Sequence, residues 1–242
     1  MILATRREPP LLSAVKGRLI VSCQAREGEP FRTPDFQAAF ARAAVEGGAA
    51  AIRANGEEDV RAIRAVVEVP IIGIRKVAQS DGHRLITPGF DSARSLVEAG
   101  AEAIALDVTA RGRRFGAIER LKRIRTELKV PAFADIATLD EALEAAEAGA
   151  DAVLSTMRGY TDETAGVREF DLQFIRDLVR YCQAPVIAEG MIETPQQAAS
   201  ALEAGAWAVV VGSAITRPVT IARRFSAALE SKGSAIFGRA GE

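Results

Sequence analysis

Two ionisable residues close short apolar runs: Lys76 ends "IIGIRK" and Glu189 ends "APVIAE". A lysine drawn out of water beside another cation loses its proton near neutral pH, and its ammonium form can return a proton to carbon. Arg53 and Arg75 are the candidate cations. The plainer alternative is a lysine running out to water, the commonest fate of the residue. Asp135, in "FADIATLDEA", either braces the following helix through nearby N–H groups or bonds a substrate hydroxyl and positions the lysine. Asp107 offers the same choice, and "RGRR" beyond it tips the reading towards a structural or loop-ordering ion pair. A different chemistry is written in "VVVGSAITRP", where an apolar run gives way to Gly212, Ser213 and then Arg217. With Gly190, these residues suit a phosphate, since glycine permits close approach and N–H groups at a helix start point towards an anion. The bland reading is tight turns followed by a solvated helix. His83 is the sole histidine and sits in the polar run "SDGHR", where a solvated loop residue is expected, so Ser-His or Cys-His catalysis has little support. Cys23 faces away from its neighbour Gln24 on a regular strand and is expected to pack. "RGRR" and "ARR" read as solvated faces.

The elements that must position these groups follow from a repeat. "VEGGAAAI", "VEAGAEAI", "AEAGADAV" and "LEAGAWAV" each read as a helix end, a glycine stop and a strand, with Gly48, Gly100, Gly149 and Gly205 lying 52, 49 and 56 residues apart. That spacing holds two βα units. The intervening strands enter through proline, in "VPIIGI", "VPAFAD" and "APVIAEG", where the missing N–H does least harm. "RLIVSCQ" completes a set of strands near 18–23, 49–53, 70–75, 102–107, 131–135, 151–155, 185–188 and 207–211. "TPDFQAAFARAAVEG", "TLDEALEAAEAG" and "TPQQAASALEAG" carry N-cap threonines before helical patterns. The expected fold is a single-domain (β/α)₈ TIM barrel over 1–242, with 1–15 an N-terminal extension or short helix and 232–242 a mobile tail. A doubly wound open sheet is the alternative. The near fourfold recurrence argues against it, because an open sheet has distinct edges.

In such barrels the C-terminal strand ends carry the chemistry. Those ends are Gln24; Arg53 and Asn55; Lys76; Asp107; Asp135; Thr156 with the Gly159–Tyr160 loop; Glu189 and Gly190; and Gly212 with Ser213. The formal net charge of −1 gives no basic excess for nucleic acid, and no apolar run is long enough to span a bilayer. The two cysteines form no disulfide framework or metal-ligand pattern, so a cytoplasmic enzyme on a small charged metabolite is expected.

Taken together, "VSCQA", "IRANG", "IGIRK", "ITPGF", "ALDVT", "ADIATL", "RGYT", "VIAEG" and "VVVGSAITRP" resemble the N-acetylmannosamine-6-phosphate 2-epimerase family, from about Lys16 to Phe225. The resemblance implies interconversion of N-acetylmannosamine 6-phosphate and N-acetylglucosamine 6-phosphate through ring opening and an enediolate, with no cofactor and no metal. It implies Lys76 as the proton-transferring base and acid, and Glu189 as its assistant. Gln24, Arg53, Asp135 and Tyr160 would hold the sugar or support the catalytic groups; Gly190, Gly212, Ser213 and Arg217 would hold the phosphate. The implied partner is a phosphorylated N-acetylhexosamine, and a homodimer is expected. Met191 follows "AEG" where family members commonly carry arginine, Ala137 stands where serine is common, and Arg158 precedes "GYT", so more of the phosphate charge falls to Arg217. Two other readings stay open: a Schiff-base aldolase using Lys76, and a silent barrel that senses a sugar phosphate.

Overall fold

Alternation along each strand creates two apolar surfaces, and the chain buries both. In the computed structural model, which describes residues 8–25, 27–80 and 82–237 with side chains through 230, the strands are Leu19–Cys23, Ala51–Asn55, Ile71–Ile74, Ala103–Asp107, Ala132–Asp135, Ala152–Leu154, Val186–Glu189 and Ala208–Val211. They pair in parallel and close, the first strand against the last through Leu19↔Val209, Ile20↔Val210 and Val21↔Val211. The closed sheet is the expected barrel, and the doubly wound alternative falls with it.

One set of alternate residues, including Val21, Cys23, Ile52, Ile104 and Val153, packs outward against the helices. The other set points into the barrel: Ile20, Ala51, Ile72, Ala103, Phe133, Ala152, Ile187 and Ala208. Register places large beside small in this set, with Ile20 opposite Ala51, Ile72 opposite Ala103, Phe133 opposite Ala152 and Ile187 opposite Ala208. A ring of eight large side chains would not fit; four large and four small fill it. Below this layer the helix Pro10–Val15 buries Leu11, Leu12 and Val15, and the Trp207 Nε1–H donates to the Leu12 carbonyl at 2.8 Å. The N-terminal end of the barrel is thereby closed. The expected terminal segments fall partly outside the described residues, at 1–7 and 238–242, while Pro218–Phe237 is one helix.

The helix signals act locally. Thr138 and Thr194 form capping boxes with Glu141 and Gln197, whereas Thr33 precedes Pro34–Glu46 without a side-chain cap bond. Gly100 and Gly205 take φ of 110° and 97°, and a Cβ there would come within 2.9 Å of Arg64 and 2.8 Å of Val179. At these two positions the glycine thus ends a helix and lets a neighbouring side chain pack over it. The third barrel strand departs from the expected plan: it stops at Ile74, and Lys76–Ala78 pairs antiparallel with Arg84–Ile86 in a separate hairpin.

Candidate active site

The inward-facing parity that packs the barrel continues upward into charge. Two residues above Ala51 stands Arg53, two above Phe133 stands Asp135, and two above Ile187 stands Glu189. Arg53 is fully buried, a position that a guanidinium tolerates only when paired. Its Nη2 donates to Asp135 Oδ2 at 2.7 Å, its Nη1 donates to Thr156 Oγ1 at 3.0 Å, and it also pairs with Glu189 through Nη1. Thr156 closes the network, donating to Asp135 Oδ1 at 2.5 Å and lying 3.1 Å from Glu189 Oε2. Ser155 fixes the backbone beneath, its hydroxyl donating to the Glu189 carbonyl at 2.8 Å and accepting from the Glu189 N–H at 3.0 Å. One buried cation therefore orients two carboxylates from separate strands.

Lys76 faces this cluster from the hairpin. Crowding by the barrel wall pulls its pKa from the ordinary lysine value down to about 8, with Arg53 the next cause and Glu189 and Asp135 opposing it. The mouth stays open to water on one side of Lys76, so its accessible surface is that of an exposed residue. The crowding sets the direction of the shift and the open side limits it. Glu189 moves the other way: burial, then the neighbouring Asp135 charge, raises its pKa against the attraction of Arg53 and Lys76. An amine shifted down and a carboxyl shifted up within electrostatic reach of each other differ less in proton affinity than they would in water, which favours passing protons to and from a bound carbon acid.

The remaining expected residues lie around this cluster at different distances. Gln24 is partly buried; its Nε2 donates to Ser22 Oγ at 2.6 Å, and its Oε1 is enclosed without a partner, so it is set to accept a hydrogen bond. Gly212 caps the short helix Ser213–Thr216, and a Cβ on it would stand 3.2 Å from Ser22 Cβ, so the first and last strands approach closely only with glycine there. Arg217, just beyond, is ion-paired with Glu29 from the loop after the first strand. Gly190 and Met191 take φ of 101° and 56°, turning the chain sharply over the loop after the sixth strand. The Met191 Cε fills the space a Gly159 side chain would need, at 2.6 Å. Tyr160 is 56% exposed on that same loop, outside the charged cluster. Arg158 is tied to Asp171 at 2.9 Å and stacks on Phe174 at 4.4 Å.

Asp107 does not make the expected ion pair with "RGRR". Its Oδ1 accepts from the Thr109 N–H at 2.9 Å and hydroxyl at 2.6 Å, while Arg111 and Arg113 reach Asp162 and Glu144. Burial lifts its pKa to about 6, held back by the Thr109 bonds. Cys23 is buried in the outer core with its thiol pushed up to about 12, consistent with packing. Thr156 and Asn55 are legible in the sequence only as strand-end residues, with no role. Neither Thr87 nor the hairpin is expected from it, although "KVAQSDGHRLI" carries a turn signal between two apolar pairs. Among the described residues no group of three or more His, Cys, Asp or Glu could hold a metal ion, and no helix is long and apolar enough to cross a membrane.

Closed parallel barrel and charged mouth together define a (β/α)₈ protein with acid–base groups converging at the C-terminal strand ends. A family model described as "Putative N-acetylmannosamine-6-phosphate epimerase" matches residues 37–231, and the chain belongs to that family. Two relatives, both named "Putative N-acetylmannosamine-6-phosphate 2-epimerase", come from Caldanaerobacter subterraneus subsp. tengcongensis and Enterobacter sp. strain 638. The first is 44% identical over 218 residues, covering 89% of this chain and 92% of its own. The second is 46% identical over 228 residues, covering 91% and 96%. The solved N-acetylmannosamine-6-phosphate 2-epimerase of Clostridium perfringens superposes with a TM-score of 0.84 at 38% identity, covering 92% of this chain and 98% of that one.

Proposed function

We propose that this protein interconverts N-acetylmannosamine 6-phosphate and N-acetylglucosamine 6-phosphate in the cytoplasm, without cofactor or metal. The observation that carries this reading is the opposed shift of Lys76 and Glu189, which lie within electrostatic reach of each other about the buried Arg53, itself bonded to Asp135 and Glu189. Epimerisation at C2 breaks a C–H bond beside the C1 carbonyl, so the pyranose must open first. Glu189, held with raised proton affinity, suits the proton exchange that ring opening requires. Neutral Lys76 takes the C2 proton, leaving a planar enolate; rotation about C2–C3 turns the opposite face to the new ammonium, which returns a proton there and inverts C2. Because C2 bears the acetamido nitrogen, the intermediate is an enolate rather than the enediolate that the resemblance implies. Gln24 and Tyr160 would bind sugar hydroxyls, the buried Arg53 and Asp135 would support Glu189, and Gly190, Gly212, Ser213 and Arg217 would hold the phosphate, whose binding energy holds C2 at the amine. Met191 leaves Arg217 the larger electrostatic share, and the phosphate must share or displace Glu29 there. The exposed Phe225 and Leu229 on the C-terminal helix support a homodimer.

The test is a coupled assay with N-acetylmannosamine 6-phosphate beside deuterium uptake at C2 in heavy water. Lys76→Ala should lower turnover and exchange by about 10²–10⁴-fold, with the melting temperature and phosphate affinity largely kept. In the unaltered protein, kcat/KM should climb with pH and level off above about 8, as the amine loses its proton. Full exchange in the alanine variant, or covalent trapping of substrate by borohydride, would overturn the assignment, the latter in favour of an aldolase.

A further inference from the structure

The epimerase reading requires the Lys76 amine to stand at one carbon atom, and the role of Thr87 rests on that reading. A four-carbon stem cannot fix its own tip, so its root must be fixed. The root is a hairpin outside the barrel sheet, which by itself could tilt over the mouth. Thr87, the residue after its second strand, is fully buried and takes φ of 49°, a left-handed conformation that crowds a β-branched side chain. Its hydroxyl donates to the Ala105 carbonyl on the fourth barrel strand at 2.7 Å and accepts from the Arg75 N–H at 3.1 Å. Its own N–H donates to the Arg75 carbonyl at 2.6 Å. Both backbone groups of the residue preceding Lys76 thus end on Thr87. The Lys76 N–H in turn donates to Asn55 Oδ1 at 2.8 Å, and its cross-strand partner Ile86 is buried in the barrel core.

We propose that Thr87 is a positioning residue: its hydroxyl locks the hairpin to the fourth barrel strand and so sets where the Lys76 ammonium stands against Glu189 and Asp135. The strained backbone fits this role, since the left-handed turn is what brings one hydroxyl within reach of two elements. Loosening the lock lets the amine swing towards water and away from Arg53 and Arg84, the cations that face it, as well as from the two carboxylates.

Thr87→Val keeps the shape and removes the hydroxyl, Thr87→Ser keeps the hydroxyl, and Thr87→Gly removes it without left-handed strain, which covers the case in which valine prevents folding. Each variant is read twice: by kcat and KM for the sugar phosphate, and by the rate of Lys76 acylation against pH, followed by mass spectrometry. Valine and glycine should lower kcat by about 10–100-fold with KM within about twofold, and should move the Lys76 titration upward towards an ordinary lysine. Serine should restore most of both. An unmoved Lys76 titration in valine and glycine, or serine as damaging as valine, overturns the proposal. Acylation needs no turnover, so an inactive unaltered protein would sink the epimerase reading while the titration still judged Thr87.

Discussion

Phe133 and Asp135 lie two residues apart on one strand and face the same interior, yet one fills the barrel and the other binds a buried guanidinium. The lower ring alternates large and small apolar side chains, and any of its members could be exchanged for another of equal volume at small cost. The upper ring has no such freedom. Arg53, Asp135, Thr156 and Glu189 are bonded to one another at fixed distances, and each removal strands a charge or a donor. A single structural rule, alternate residues inward, serves packing at one depth and proton chemistry at the next.

Breaking the upper ring should have the largest effect. Arg53→Met removes the shared cation, and we expect a loss of about 3–5 kcal/mol in chemical denaturation together with loss of epimerase activity. With the guanidinium gone, the Glu189 carboxyl, already raised by burial, holds its proton still more tightly when folded. Its contribution is then present at low pH and fades as pH rises. The deficit should therefore be smaller at pH 5 than at pH 8; equal deficits would refute the electrostatic account.

Phe133→Ala attacks the lower ring with a similar energy but a different signature. A cavity beneath the site should cost about 3–5 kcal/mol, while the pH dependence of kcat/KM stays where it was. Should that profile move with the cavity, the two layers are coupled rather than separate.

The smallest effect sharpens the boundary. Asp107 sits at the mouth with its pKa raised to about 6 when folded, so its stabilisation is present below the unfolded value and is lost as pH climbs through 6. Asp107→Asn should flatten the fall in stability between about pH 4 and 6 by about 1–2 kcal/mol and leave turnover within severalfold. A collapse of turnover would move Asp107 into the catalytic set.

The barrel was legible because its signals are local. Glycine at a helix end, proline at a strand entrance and threonine before a helix each act within a few residues, and the fourfold repeat multiplied them. The strand-end rule then named Gln24, Arg53, Lys76, Asp135 and Glu189 without any contact being known. It could not separate Asp135, bonded to Arg53, from Asp107, bonded to Thr109, since both end apolar strands with the same pattern. It also missed Thr87, whose type and place in "ITPGF" say nothing of a left-handed backbone reaching the fourth strand.

The amino-acid sequence by itself determined the order of strands and helices, the inward parity and the residue types delivered to the mouth, because each depends on neighbours along the chain. Only the tertiary structure decided which charges meet. Closing the sheet brings strands two, five and seven around one guanidinium and sets Lys76 opposite them, and proton affinities depend on burial and on distances across the barrel.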